Sequence, residues 1–155
     1  MGVEIERKFL VNSQKWDKLT KPDGMQYRQG YILKEPSKTV RVRVTGDNGF
    51  ITIKGKTIGA SRSEYEYQIP LNEADELLKE FCEAVITKVR YCIQFANKLW
   101  EVDVFLADNE GLIIAEIELD NESEYFDLPD WITEEVTGDV KYYNSNLSTH
   151  PYKTW

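Results

Sequence analysis

Apolar and polar positions alternate along most of this chain. The pattern recurs in VEIERKFLV (3–11), YRQGYIL (27–33), TVRVRVT (39–45), FITIKGK (50–56), RSEYEYQIP (62–70), ITKVRYCIQFA (86–96), KLWEVDVFL (98–106) and LIIAEIELD (112–120). Side chains of a strand point to opposite faces with a period of two, so each segment predicts a strand with one buried face. Turn signals at KPDG (21–24), TGDNG (45–49) and ADNEG (107–111) separate the segments. The TGDNG and FANKLW connections are short enough for hairpins, which makes the sheet large and mostly antiparallel. A longer period follows Asn72, a candidate N-cap, where Ala74, Leu77, Leu78, Phe81 and Val85 predict an amphipathic helix. Two weaker helical pieces are SQKWDKL, opened by Ser13, and DWITEEVTG, opened by Asp130 and ended at Gly138. The class is α+β, in one domain over residues 1–155.

The second face of these strands carries formal charge in doublets. Glu4, Glu6 and Lys8 oppose Val3, Ile5 and Phe9; Arg41 pairs with Arg43, Lys54 with Lys56, and Arg62 accompanies Glu64 and Glu66. Further along come Lys88 with Arg90, Glu101 with Asp103, and Glu116 with Glu118. One reading is a curved sheet whose polar face meets water, as antiparallel sheets commonly do. The other is a barrel with helices outside and the charges enclosed in its lumen. Like charges two residues apart repel far more in a confined space than in water, so a multivalent ligand shared by both sets gives them a reason to exist.

Composition narrows the ligand. Net charge is -8 and the sequence pI about 4.8, which repels a nucleic-acid backbone at long range and excludes extended nucleic-acid binding. Cys82 and Cys92 are the two thiols and lack the spacing of a disulfide framework or a zinc site. No apolar run approaches the roughly 20 residues that span a bilayer, and no signal-peptide pattern opens the chain, so a cytoplasmic protein without a membrane partner is expected.

Both signs of charge in one cavity suit a polyphosphate. Guanidinium and ammonium groups bind its oxygens, and a hard divalent ion takes oxygen ligands. Glu4, Glu6, Glu116 and Glu118 are the donors such an ion would need, as Mg²⁺ or Mn²⁺, and the ion would neutralise phosphate and acidify an attacking water. The chemistry is hydrolysis of a phosphoanhydride without a covalent intermediate.

With these residues in hand, EIERK (4–8) resembles the ExExK signature of the CYTH superfamily, the triphosphate tunnel metalloenzymes. QGYI (29–32), TVRVRV (39–44), TIKGK (52–56), Glu64 with Glu66, TKVRY (87–91), EVDVF (101–105), AEIEL (115–119) and EEVTGDVKYYNSNL (134–147) follow in the order and spacing of short bacterial members. The resemblance implies an eight-stranded antiparallel β-barrel, a tunnel with a charged lumen and helices packed outside, that binds a triphosphate with two divalent ions. It implies Glu4, Glu6, Glu116 and Glu118 as metal carboxylates, with Glu64 and Asp103 as further metal or water-positioning groups. Lys8, Arg41, Arg43, Lys54, Lys88 and Arg90 would hold phosphate, joined by Lys56 and Arg62; Lys8, Glu4, Glu6 and Asp103 are the catalytic candidates. The activity implied is hydrolysis of inorganic tripolyphosphate to pyrophosphate and phosphate. Class IV adenylate cyclase, thiamine or nucleoside triphosphatase, and a non-catalytic polyphosphate-binding module stand as alternatives, and a homodimer is left open.

The remaining residues read as structure. Gly55, Lys56 and Thr57 look like the end of a phosphate-binding P-loop, but Gly49 is one position too far away and the run is strand-like. His150 reads as a surface or packing residue, Trp16, Trp100, Trp131 and Trp155 as packing, and Tyr27, Tyr31, Tyr65 and Tyr67 as core or rim aromatics. Lys141, Tyr142 and Tyr143 would close one tunnel end.

Overall fold

The alternating segments pair into one antiparallel sheet that closes on itself. The computed structural model describes residues 2–155. The strands are β1 (Gly2–Val11), β2 (Met25–Glu35), β3 (Lys38–Thr45), β4 (Asn48–Gly55), β5 (Ser61–Ile69), β6 (Val85–Phe95), β7 (Lys98–Phe105) and β8 (Ile113–Glu118). Their spatial order is β5-β4-β3-β2-β6-β7-β8-β1, and β1 returns to pair with β5. This is the eight-stranded barrel that the resemblance implies, and it decides against the open wet-faced sheet that the alternation also allowed. Both short hairpins form. The β6–β7 turn consists of Ala96 and Asn97 with φ of 48° and 62°, the left-handed pair that matches the twist of two-residue hairpins.

The closure has a seam. β1 pairs with β5 only from Gly2 to Ile5, and the same edge takes up β9 (Ile132–Glu135) from Phe9 onward. Between these partners, the Glu6 N–H donates to the Ala60 carbonyl at 3.1 Å, the Lys8 N–H donates to Thr137 Oγ1 at 2.9 Å, and the Lys8 carbonyl accepts from the Val136 N–H at 2.8 Å. Loops therefore satisfy the backbone where no neighbouring strand does. The segment read as a helix over 130–138 supplies that second partner as a strand: the unpaired edge of β1 decides against the weak helical pattern.

Two apolar clusters surround the barrel and a third lies within it. On the outer wall, Phe9, Trp100, Val102, Ala115 and Ile117 pack with Trp16 of α1 (Ser13–Lys18) and with Trp131. The cap of α1 is Asn12, whose side chain accepts from the Lys15 N–H at 2.9 Å, one residue before the expected Ser13. The helix α2 (Leu71–Phe81) lays Ala74 and Leu78 on Val42 and Val44. It starts at Leu71, with Pro70 at the cap position and no side-chain capping bond, so Asn72 lies inside it and Val85 belongs to β6. Phe81 is exposed.

The third cluster is inside. Ile86, Phe105 and Ile114 share the inward phase of Lys88, Asp103 and Glu116, and they pack with Leu112, Leu10 and Leu147 of α3 (Asn144–Leu147). One end of the lumen is thus apolar and stopped by the C-terminal segment, so the charged lining does not run its whole length. Leu147→Ala would leave a cavity in this stopper and cost about 2–5 kcal/mol. The expected result is a lower urea midpoint with an unchanged slope.

Candidate active site in the barrel lumen

Inward-facing positions converge on one cavity of about 200 Å³. β1 contributes Glu4, Glu6 and Lys8; β3 Arg41 and Arg43; β4 Lys54; β5 Arg62, Glu64 and Glu66; β6 Lys88 and Arg90; β7 Glu101; and β8 Glu116 and Glu118. Two of the predicted site residues do not line it. Lys56 lies beyond the end of β4, where the alternation that carried Lys54 inward has stopped, and it is exposed. Asp103 is 1% exposed and accepts from Lys88 Nζ at 2.6 Å, Arg90 Nε at 2.7 Å and Arg90 Nη2 at 2.9 Å. It therefore anchors two lumen cations from behind instead of facing a ligand.

Loops add what periodicity does not reveal. Thr57, Gly59 and Ala60 of the β4–β5 connection, with Thr137 and Gly138 after β9, line the cavity beside the β1 seam. Tyr31, Tyr143, Asn144 and Ser145 complete it. Tyr143 lies in the segment expected to close one end, and its ring sits 5.3 Å from Lys8 Nζ. The Tyr27 ring lies under the cations, with the Arg43 and Arg90 guanidinium carbons each 5.0 Å from its centroid and Lys88 Nζ 5.7 Å away. His150 stands outside the cavity lining, its carbonyl accepting from Trp155 Nε1 at 3.1 Å.

Burial sets the electrostatics, because it penalises every charge and leaves neighbours to decide which ones survive. Burial pushes the Glu6 carboxyl well above the usual range, and the charges of Glu116 and Glu4 push it further. For Glu116 burial is outweighed by Lys8, Arg90, a hydrogen bond with Glu6 and Lys88, so its carboxyl falls well below that range. Glu4 is also buried, yet Lys54 and hydrogen bonds from Glu64 and Lys54 hold it below its ordinary value. Its oxygens lie 3.0 and 3.2 Å from Lys54 Nζ, with Arg62 Nε at 3.7 Å. Glu64 is pushed up to about 6 by burial and by Glu4, and Glu118 is raised by burial, Glu4 and Glu101.

The cations divide: burial is outweighed by Glu116 and Glu6 at Lys8 and by Asp103 at Arg90, which are raised, whereas three others are lowered. Burial brings Lys88 down to about 7 despite Asp103, and burial with Arg41 and Arg90 brings Arg43 down to about 10. Burial and the neighbouring Arg41 also lower Lys54. Arg41 Nε, Gln29 Nε2 and Asn144 Oδ1 are buried without a hydrogen-bond partner, at or directly behind the lining. Unmet polar groups of this kind call for a polar ligand or water.

Among the described residues no three acidic, histidine or cysteine side chains form a preassembled metal cage. The carboxyls of Glu4, Glu6, Glu64, Glu116 and Glu118 instead line one cavity together. This all-oxygen donor set fits a hard divalent ion.

A closed antiparallel barrel lined by charges of both signs defines a β-tunnel protein built around a polar, multivalent ligand. The chain belongs to the CYTH family: the description of the CYTH domain matches residues 2–151. It is 54% identical, over 100% of its own length and 99% of the relative's, to an inorganic triphosphatase of Acetivibrio thermocellus. A second inorganic triphosphatase, from Nitrosomonas europaea, is 36% identical over 94% of the chain and 96% of the relative. A crystal structure of an inorganic triphosphatase superposes with a TM-score of 0.64 at 33% identity, covering 94% of this chain and 93% of the other. Membership of this family implies dependence on divalent metal in general.

Two outcomes separate anchoring from lining. Asp103→Ala leaves Lys88 buried without its carboxylate partner and Arg90 with only Glu101 and Glu116, and a loss of about 3–5 kcal/mol in a denaturant titration is expected. Glu6→Gln should do the reverse. A carboxyl whose folded value is raised contributes its stability at low pH and loses it as pH rises through that raised value. At pH 8 the variant should therefore melt higher by about 2–4 °C, the shift that roughly 1 kcal/mol produces at this chain length. At pH 4, where carboxyls with raised values hold their protons in both states, calorimetry should find the two proteins alike.

Proposed function

We propose that this chain is an inorganic triphosphatase, which hydrolyses tripolyphosphate to pyrophosphate and phosphate inside the lumen with Mg²⁺ or Mn²⁺, two ions when substrate is bound. The observation that carries the reading is that Glu4, Glu6, Glu116 and Glu118 line one cavity with Lys8, Arg41, Arg43, Lys54, Arg62, Lys88 and Arg90. Neither set is at ease alone. Carboxyls this close cannot all ionise without a cation, and cations this buried lose charge without an anion.

Triphosphate and divalent ions relieve both sets through an exchange of partners. Lys54, hydrogen-bonded to Glu4, and Arg62, ion-paired with it, turn to phosphate oxygens and release that carboxylate. Arg41, Arg43 and Lys8 extend the grip, while Asp103 holds Lys88 and Arg90 aimed into the lumen. Glu4, Glu6, Glu64, Glu116 and Glu118 are the groups that would hold the ions. Bound there, the ions would neutralise phosphate charge and acidify the attacking water. The apolar stopper and the Tyr143–Ser145 segment close one end, which favours a compact polyanion over a ligand with a bulky base. Tyr27, under three cations, is not free to stack on a base. Residues 1–155 act as one domain on this reading. Two unpaired thiols, Cys82 and Cys92, fit a reducing cytoplasm, and among the described residues no helix is long and apolar enough to cross a membrane.

Phosphate release from tripolyphosphate, ATP, GTP and thiamine triphosphate, with Mg²⁺, Mn²⁺ or chelator, tests the proposal directly. Metal-dependent release strongest on tripolyphosphate is expected, with Glu4→Gln/Glu6→Gln lowering it by at least ~100-fold, the scale on which removing groups that act on transition-state charge is felt. Cyclic AMP with pyrophosphate from ATP would establish a cyclase instead. Tight triphosphate binding without turnover would leave a binding module.

A further inference from the structure

Outside the lumen, one carboxylate is built into the seam of the barrel. Glu122 lies four residues past Glu118, in the turn that follows β8, and its Oε1 accepts the Ala60 N–H at 2.9 Å. The turn that presents it is internally tied: the Asp120 N–H donates to Glu124 Oε1 at 2.7 Å, and the Ser123 N–H to Asn121 Oδ1 at 3.0 Å. Lys98 pairs with Glu124 and holds the turn to β7.

The loop that Glu122 grips is shaped to receive it. Ile58 and Ser61 exchange backbone hydrogen bonds at 2.8 and 3.0 Å, closing a tight turn in which Gly59 has φ of +64°. A Cβ on Gly59 would come within 2.5 Å of Glu122 Oε1, so glycine here serves both the left-handed backbone and the approach of the carboxylate. From this loop two links run inward. The Ala60 carbonyl accepts the Glu6 N–H at 3.1 Å, and Thr57 Oγ1 accepts from Arg62 Nη1 at 3.3 Å. Because β1 has left β5 at Ile5 and not yet met β9, this loop is what borders Glu6 on that edge.

We propose that Glu122 is a positioning residue for the triphosphatase reaction: it clamps the Thr57–Ala60 loop and, through it, fixes the Glu6 backbone and the Arg62 guanidinium across the seam. The inference rests on the triphosphatase reading for its kinetic consequence, whereas the clamp itself is a structural claim. Groups that orient primary ligands from outside the site typically matter by 10–100-fold in activity or metal affinity. Glutamine keeps an acceptor oxygen at the same reach, so only loss of the acceptor should break the link.

The test uses the full chain as wild type, Glu122→Gln, Glu122→Ala, Gly59→Ala and the Gly59→Ala/Glu122→Ala double variant. Hydrogen exchange at the Ala60 amide reads the clamp without reference to activity. Steady-state kinetics on tripolyphosphate over a range of Mg²⁺ concentrations reads its consequence. Expected are a loss of Ala60 protection in Glu122→Ala, kcat/KM lower by about 10-fold with a higher Mg²⁺ requirement, and recovery to within about twofold in Glu122→Gln. Gly59→Ala should cost at least as much as Glu122→Ala, because it adds left-handed backbone strain, and the double variant should be no worse than Gly59→Ala, because the link is already gone. Unchanged Ala60 protection in Glu122→Ala, Glu122→Gln as damaged as Glu122→Ala, or additive effects in the double variant would each overturn the proposal. If wild type does not hydrolyse tripolyphosphate, the functional reading falls while the exchange measurement still decides the clamp.

Discussion

Asp103, itself 1% exposed, holds Lys88 and Arg90 by three hydrogen bonds of 2.6 to 2.9 Å. The charged lumen depends on this anchor. Seven cations can face one another across a barrel only if their charge is met from behind as well as across, and Asp103 meets two of them without occupying the cavity. A buried ion pair stabilises little in net, because desolvation offsets most of its attraction. The stability to carry such a lumen comes from the outer wall, where Trp16, Trp100, Trp131, Phe9 and Phe126 pack edge to face at centroid distances of 5.5 to 6.1 Å. Outside and inside divide the labour: apolar surface holds the barrel, and charge is kept for a ligand.

β1 brings the two together. Its outward Phe9 belongs to the aromatic cluster, its inward Glu4, Glu6 and Lys8 face the cavity, and its free edge passes from β5 to β9 through two loops. A strand paired along both edges would be fixed by its ladder alone. Here the stretch from Glu6 to Lys8 is bordered by Ala60, Val136 and Thr137, so the geometry of the central carboxylate is shared with residues distant in sequence.

Charge state and ligand are coupled throughout. Glu6 and Glu64 hold protons above their ordinary range, whereas Glu4 and Glu116 are kept ionised by lysine and arginine. A cation added to the carboxyls and an anion added to the basic groups each remove a penalty that burial imposes, so the two components of a metal–polyphosphate complex favour one another's binding.

Much of this was legible along the chain. Period-two alternation is a local property of the backbone, so it assigns inward and outward faces before any strand has found its partner, and the order of charged doublets carried the family resemblance. Depth is another matter. Arg90 and Asp103 share the inward phase and are direct cross-strand partners, yet the long arginine reaches the cavity while the short Asp103 is covered by Lys88 and Arg90; Ile86 shares the phase of Lys88 but lies in the apolar stopper. Lys56 has the right phase but lies past the strand's end, where phase means nothing. The helical pattern at 130–138 yielded to a free edge of β1, and the Thr57–Ala60 loop, Glu122 and the Tyr143–Ser145 closure have no period to betray them. The sequence by itself determined which side chains turn inward, because that depends on near neighbours; only the tertiary structure decided which of them reach the ligand's level, because that depends on how distant strands are staggered around a closed barrel.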